Sequence, residues 1–112
     1  IDFAAENGKV AAMTETGCRK EGDEFTYPNK YPDFWSNYVL DILQTNAKTK
    51  RMVWVLAWYS SDWARNRTSQ FYVPYKGIET DQPKGQEAID DFIKFYNHPA
   101  TVFEKDLPKM YK

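Results

Sequence analysis

Apolar and polar positions alternate along the chain in short runs and stripes. The opening Ile1-Asp2-Phe3-Ala4-Ala5-Glu6, followed by Asn7-Gly8, reads as the last turn of a helix stopped by a glycine. Lys9 to Glu15 is a short apolar run ending in polar residues, and it predicts a buried strand, although its alanines also suit a helix. Thr16-Gly17 breaks that element. Residues 18 to 32, with Gly22, Pro28 and Pro32, read as a loop. Asp33 stands where an N-cap belongs. From there Phe34, Trp35, Tyr38, Val39, Ile42 and Leu43 recur at helical spacing and predict one broad apolar stripe, ended by the polar stretch Gln44 to Lys50. Met52 to Trp58 is apolar on both faces, so it predicts a strand whose two faces must both be covered. Residues 59 to 85 read as a long loop, of a length that is usually functional or disordered. A last helix is predicted over Gln86 to Tyr96, with Ala88, Ile89, Phe92, Ile93 and Tyr96 on one face and Asn97-His98-Pro99 as its stop. The tail keeps Val102, Phe103, Leu107, Met110 and Tyr111, and is expected to pack down.

Strand and helix alternation implies an α/β class with parallel strands and helical crossovers. Two parallel strands cannot cover two apolar faces and two edges, so further strands or another packing partner are expected. The long loops follow the C-terminal ends of the strands, where α/β barrels and doubly wound sheets carry their chemistry. Glu15 and Trp58 both fall at such ends.

Composition narrows the classes. A length of 112 residues allows one domain at most. Fifteen basic against 16 acidic residues, for a net charge of -1, leave no field of one sign for nucleic acid or an anionic membrane. Hydrophobic residues at 42% argue against disorder. The longest apolar run, Val53 to Tyr59, is far short of the ~20 residues of a membrane span. One cysteine, Cys18, excludes an internal disulfide framework and a multi-cysteine zinc site; one histidine, His98, excludes a histidine-rich cluster. No glycine-rich phosphate loop is present, and no cofactor is expected. The opening shows no initiator Met and no signal-peptide pattern, and a helix without a beginning suggests a piece of a longer polypeptide.

Among candidate residues, Glu15 comes first. A carboxylate at the end of a buried strand is costly unless paired or hydrogen-bonded. It reads either as a functional group at a barrel mouth or as a strand-end acid facing water, with Gly17 letting the backbone turn away. Trp58 offers a flat apolar face on which the C–H faces of a sugar can stack, or it is a rim residue packed on a helix. Trp54 reads as core. In the loop that follows, Tyr59 and Trp63 either line a cleft or anchor a solvated segment. Asn66-Arg67-Thr68 fits the glycosylation tripeptide, a common and weak pattern. Cys18 reads as a small idle thiol rather than a nucleophile, and His98 as a helix C-terminal residue favoured by the dipole.

These residues resemble a known family. Lys9-Val10-Ala11-Ala12-Met13-Thr14-Glu15-Thr16-Gly17 is similar to the TETG-containing seventh strand of glycoside hydrolase family 26, the β-mannanase family. Phe34-Trp35 resembles the pair that opens the helix after that strand. Val53-Trp54-Val55-Leu56-Ala57-Trp58 is similar to the eighth strand. Phe71-Tyr72-Val73-Pro74-Tyr75 and Asp91-Phe92-Ile93-Lys94-Phe95-Tyr96-Asn97-His98-Pro99 match two further motifs in the family's order. The resemblance implies the last two βα units, the seventh and eighth, of a TIM (β/α)8 barrel, spanning residues 1 to 112. It implies a retaining endo-β-1,4-mannanase-like enzyme with Glu15 as nucleophile and Trp58 stacking on the sugar beside the scissile bond. The general acid/base belongs to the fourth strand, outside these residues. The substrate implied is β-mannan or a related polysaccharide; the partner is the remainder of the barrel, and the enzyme is secreted or at the cell surface. Tyr59 stands where family members often have Arg, and Gln70 where they have His. The stretch from Gly77 to Gly85 is long for the family.

Two other readings compete. One is a non-catalytic carbohydrate-binding module using Trp58, Tyr59 and Trp63. The other is a structural α/β domain that dimerises to complete its sheet.

Overall fold

The computed structural model describes residues 1–18, 27–58 and 72–109. Helix α1 spans Asp2–Glu6 and ends where Gly8 takes a φ of +62°. Strand β1 follows at Ala11–Thr16. A π-helical segment, Phe34–Leu40, runs without a break into α2, Asp41–Gln44. A 3-10 turn at Thr49–Arg51 leads into strand β2, Met52–Ala57. Helices α3, Ile78–Asp81, and α4, Gly85–Tyr96, complete the set, with a short 3-10 turn at Glu104–Asp106.

The two strands pair in parallel as the only sheet among the described residues. The register is irregular: Ala11 faces Met52, Met13 faces Val55, and Thr16 faces Ala57. From Ala11 to Met13 two steps along β1 match three along β2, and from Met13 to Thr16 three match two, so the shifts cancel by the strand's end. Paired residues in a parallel ladder share a face, and an extra residue reverses the alternation. Val55 and Ala57 pack on the helical core, so Met13 and Thr16 lie on that same face. Thr16 is buried while its neighbour Glu15 is exposed.

The core lies on one side of the sheet, between the helices. Trp35, Val39, Leu40, Tyr27, Ile78, Ala88 and Phe95 form it. Trp35 sits at its centre, with ring centroids 5.3 Å from Phe95, 5.4 Å from Phe34 and 5.6 Å from Phe92. Phe103 closes the tail against Phe92 and Phe95 at 6.1 and 6.0 Å. Such aromatic pairs contribute about 0.5–1.5 kcal/mol each beyond their area burial.

Among the described residues no helix packs on the other side of the sheet. Trp54 and Leu56, which alternate with Val55 and Ala57, are each 53% exposed. The expectation that Trp54 is core is therefore wrong for these residues: it lies on the face the helices do not reach. The expectation that both faces of this strand are covered is met on one face only.

Several local expectations need correction. Asp33 makes no side-chain cap; its carboxyl instead accepts from the Asn37 amide. The i→i+5 winding of Phe34–Leu40 rotates the following residues off the 3.6 period. Leu40 is buried as a result, and Ile42, expected in the stripe, is 52% exposed. In α4 the buried positions are Gly85, Ala88, Asp91 and Phe95, while Ile93 faces out. The expected loop 59 to 85 contains helix α3, whose Ile78 is wholly buried. In the tail, Phe103 packs down but Val102 and Leu107 remain exposed.

Candidate active site

The C-terminal ends of β1 and β2 lie side by side. The Trp58 N–H, one residue beyond β2, donates to the Thr16 carbonyl at 3.0 Å. This bond brings Glu15 and Trp58 to one end of the sheet. Glu15 is exposed, and Trp58 keeps 36% of its surface open. An exposed carboxylate and a partly exposed tryptophan thus stand at the same end of the sheet.

Pairing with β2 gives Glu15 its direction. Thr16 pairs with Ala57, which packs on the helical core, and Thr16 is buried. Glu15, one residue earlier, faces the other way and is exposed.

Gly17 does something the sequence did not suggest. Its φ is not positive, unlike those of Gly8 and Gly77, so no special turn requires glycine. A Cβ built there would lie 1.8 Å from Cδ1 of Tyr72. Glycine is needed because the Tyr72 ring fills the space. Tyr72 is itself buried, at 3% exposure, and its carbonyl accepts the Trp35 indole N–H at 3.1 Å.

The helix that follows β1 is held at its start from a distance. Asp91 of α4 accepts the Trp35 backbone N–H at 2.9 Å and the Ser36 N–H at 3.3 Å. Both donors belong to the first turn, whose N–H groups have no partner within the helix. Asp91 thus takes the capping role that local sequence assigned to Asp33. Sequence reasoning missed Asp91, yet a signal was present. Ala88, Asp91 and Phe95 share the buried side of an amphipathic helix, and an acid there needs donors.

Cys18 packs against the core cluster. Burial pushes its thiol up to about 12, with Asp33 adding to the shift. A thiol so hard to ionise is a poor nucleophile, in keeping with the idle reading. His98 lies beyond the end of α4, and its Nδ1 accepts the Ala100 N–H at 3.1 Å. It shapes the turn by accepting a hydrogen bond, where the sequence suggested a cation at the helix dipole. Tyr59, Trp63, Phe71 and the Asn66-Arg67-Thr68 tripeptide lie outside the described residues.

A groove of about 520 Å³ opens elsewhere, along β2. Leu43, Met52, Val55, Phe92, Phe103 and Val102 are among its lining residues, and neither Glu15 nor Trp58 lines it. Among the described residues no group of three or more His, Cys, Asp or Glu side chains is arranged to hold a metal ion, and no helix is long and apolar enough to cross a membrane. No known protein-family profile matches the chain.

Proposed function

We propose that these residues are the C-terminal part of a retaining endo-β-1,4-mannanase-like glycoside hydrolase, with Glu15 as nucleophile and Trp58 as the sugar platform. The observation that carries this reading is the pairing of an exposed Glu15 with a half-open Trp58 at the C-terminal end of a parallel sheet. That is the end at which βα barrels hold their catalytic groups. Motif order supports it as well. The exposed face formed by Trp54 and Leu56, the outer strand edges that carry no third strand among the described residues, and the groove along β2 support a further six strands with their helices as the partner.

The reaction has two displacements. In the first, a Glu15 carboxylate oxygen bonds to the anomeric carbon as the C1–O glycosidic bond breaks. The leaving oxygen takes a proton from an acid supplied by the rest of the barrel. In the second, that same group, now a base, accepts a proton from water; the water oxygen bonds to C1 and the Glu15 ester bond breaks. The two inversions return the starting anomeric configuration. Trp58 holds the sugar ring by its apolar face so that C1 stays in line with Glu15. Tyr59 and Trp63 extend the substrate contacts, and no cofactor takes part. A polymeric mannan cannot enter a cell intact, so the enzyme works outside the membrane or in the periplasm.

Residues 1–112 alone lack the acid and are expected to hydrolyse nothing. In the full-length polypeptide, Glu15→Gln is expected to abolish release of manno-oligosaccharides. Near-normal turnover by that variant would refute the assignment. A carbohydrate-binding module draws support from the exposed indoles of Trp54 and Trp58. It predicts saturable sugar binding that depends on Trp58 and is indifferent to Glu15, with no covalent adduct.

A further inference from the structure

We infer that Asp91, Trp35, Tyr72 and Gly17 form a positioning chain through which helix α4 sets the aim of Glu15; this rests on the hydrolase reading above. The chain has four links. Asp91 binds the backbone N–H groups of Trp35 and Ser36 and so fixes the start of the helix. The Trp35 indole is held among Phe34, Phe92 and Phe95, with its N–H directed at the Tyr72 carbonyl. The Tyr72 ring occupies the space that a side chain on Gly17 would need. Gly17 follows Thr16, whose carbonyl receives the Trp58 N–H.

Each link is directional or steric, and Asp91, Trp35 and Tyr72 are all buried. Apolar packing alone tolerates swaps of similar volume. A hydrogen bond to one carbonyl and a ring against one bare Cα do not. The chain ends two residues beyond Glu15, next to Thr16, whose pairing with Ala57 sets the face that Glu15 takes. Its members act on the reaction through the backbone of β1, without contact to the sugar, and are positioning residues.

The test is covalent labelling of the full-length polypeptide with 2-deoxy-2-fluoro-mannosyl fluoride. A Glu15 oxygen bonds to C1, the C1–F bond breaks, and fluoride leaves with the bonding pair. Fluoride needs no proton from the general acid, so the labelling rate reports the aim of Glu15. Trp35→Phe removes the indole N–H and keeps the backbone N–H that Asp91 binds. Its limiting labelling rate is expected to fall ~10- to 100-fold, since a misplacement of about 1 Å costs on the order of 10²-fold, with the half-saturating reagent concentration unchanged. Gly17→Ala, which collides with Tyr72, is expected to slow labelling likewise. Ile78→Val lowers stability from a fully buried core position and is expected to label at the wild-type rate. Wild-type rates in folded Trp35→Phe and Gly17→Ala overturn the inference, as does equal slowing by Ile78→Val. A wild-type protein that takes no label at Glu15 removes the hydrolase reading and this inference together, an outcome seen before any substitution is made.

Discussion

Replacing Asp91 by Ala should be among the most damaging single changes in this chain. Asp91 is 8% exposed, and its oxygens accept from Trp35 N–H at 2.9 Å and Ser36 N–H at 3.3 Å. Alanine leaves both donors unmet. On an exposed helix, losing an N-cap costs about 0.5–2 kcal/mol, because water takes the place of the cap. Trp35 and Ser36 are each 2% exposed, so water has little access to their N–H groups. The penalty for unsatisfied buried donors then governs, at about 1–3 kcal/mol per group, or roughly 2–6 kcal/mol in total. Asp91→Asn keeps one oxygen and should lose about 1–2 kcal/mol. Urea unfolding of the protein measures both. The expected result is a lower midpoint at unchanged slope, with Ala well below Asn. A loss of less than about 1 kcal/mol for Ala would mean that solvent reaches the helix start, and the long-range cap would have to be abandoned.

Other expectations follow from close contacts and burial. A Cβ on Gly85 would lie 1.9 Å from the Ile78 carbonyl oxygen, a backbone atom that cannot swing aside. Gly85→Ala should therefore lower the melting temperature despite alanine's better helix propensity, and an unchanged or raised value would show that α3 and α4 are not packed this closely. For Cys18, a thiol raised from 9.0 to about 12 holds about a thousand-fold less thiolate at pH 8, so native alkylation by iodoacetamide should be slower than in urea by about that factor. Equal rates in the two states would remove the case for an inert thiol. The same shift sets a pH dependence: the folded chain keeps a proton that the unfolded chain releases, so this stability is complete below about pH 9 and is lost as pH rises toward 12. Tyr27, raised mainly by burial and further by Asp91 and Cys18, adds loss of the same sign above pH 10.0. Stability that stays flat from pH 8 to 11 would contradict both shifts.

Local pattern was a good guide wherever one segment's own periodicity decided the outcome. Helix α4 follows from its apolar stripe and its Asn97-His98-Pro99 stop; β2 follows from an unbroken apolar run. The Gly8 stop of α1 is equally local, since it depends on the positive φ of that one residue. Helix α3 was hidden because four residues are too few to show a period, and its single anchor, Ile78, lies among polar neighbours. The face of the helix after Asp33 was misjudged by one position because its π winding does not keep the 3.6 spacing.

Sequence by itself determined the succession of strand, helix, strand and last helix, the parallel pairing of the strands, and the presence of an acid and a tryptophan at neighbouring strand ends. These depend on hydrophobic spacing and on residue type, both of which are written locally. Tertiary structure alone decided which face Glu15 takes, because that depends on Thr16 pairing with Ala57 on the side the helices cover. It also decided why Gly17 is glycine and where Asp91 sends its hydrogen bonds, because Tyr72 and Trp35 lie some fifty residues away along the chain. Contacts across such separations leave no period in either segment, so only folding the chain brings the partners into view.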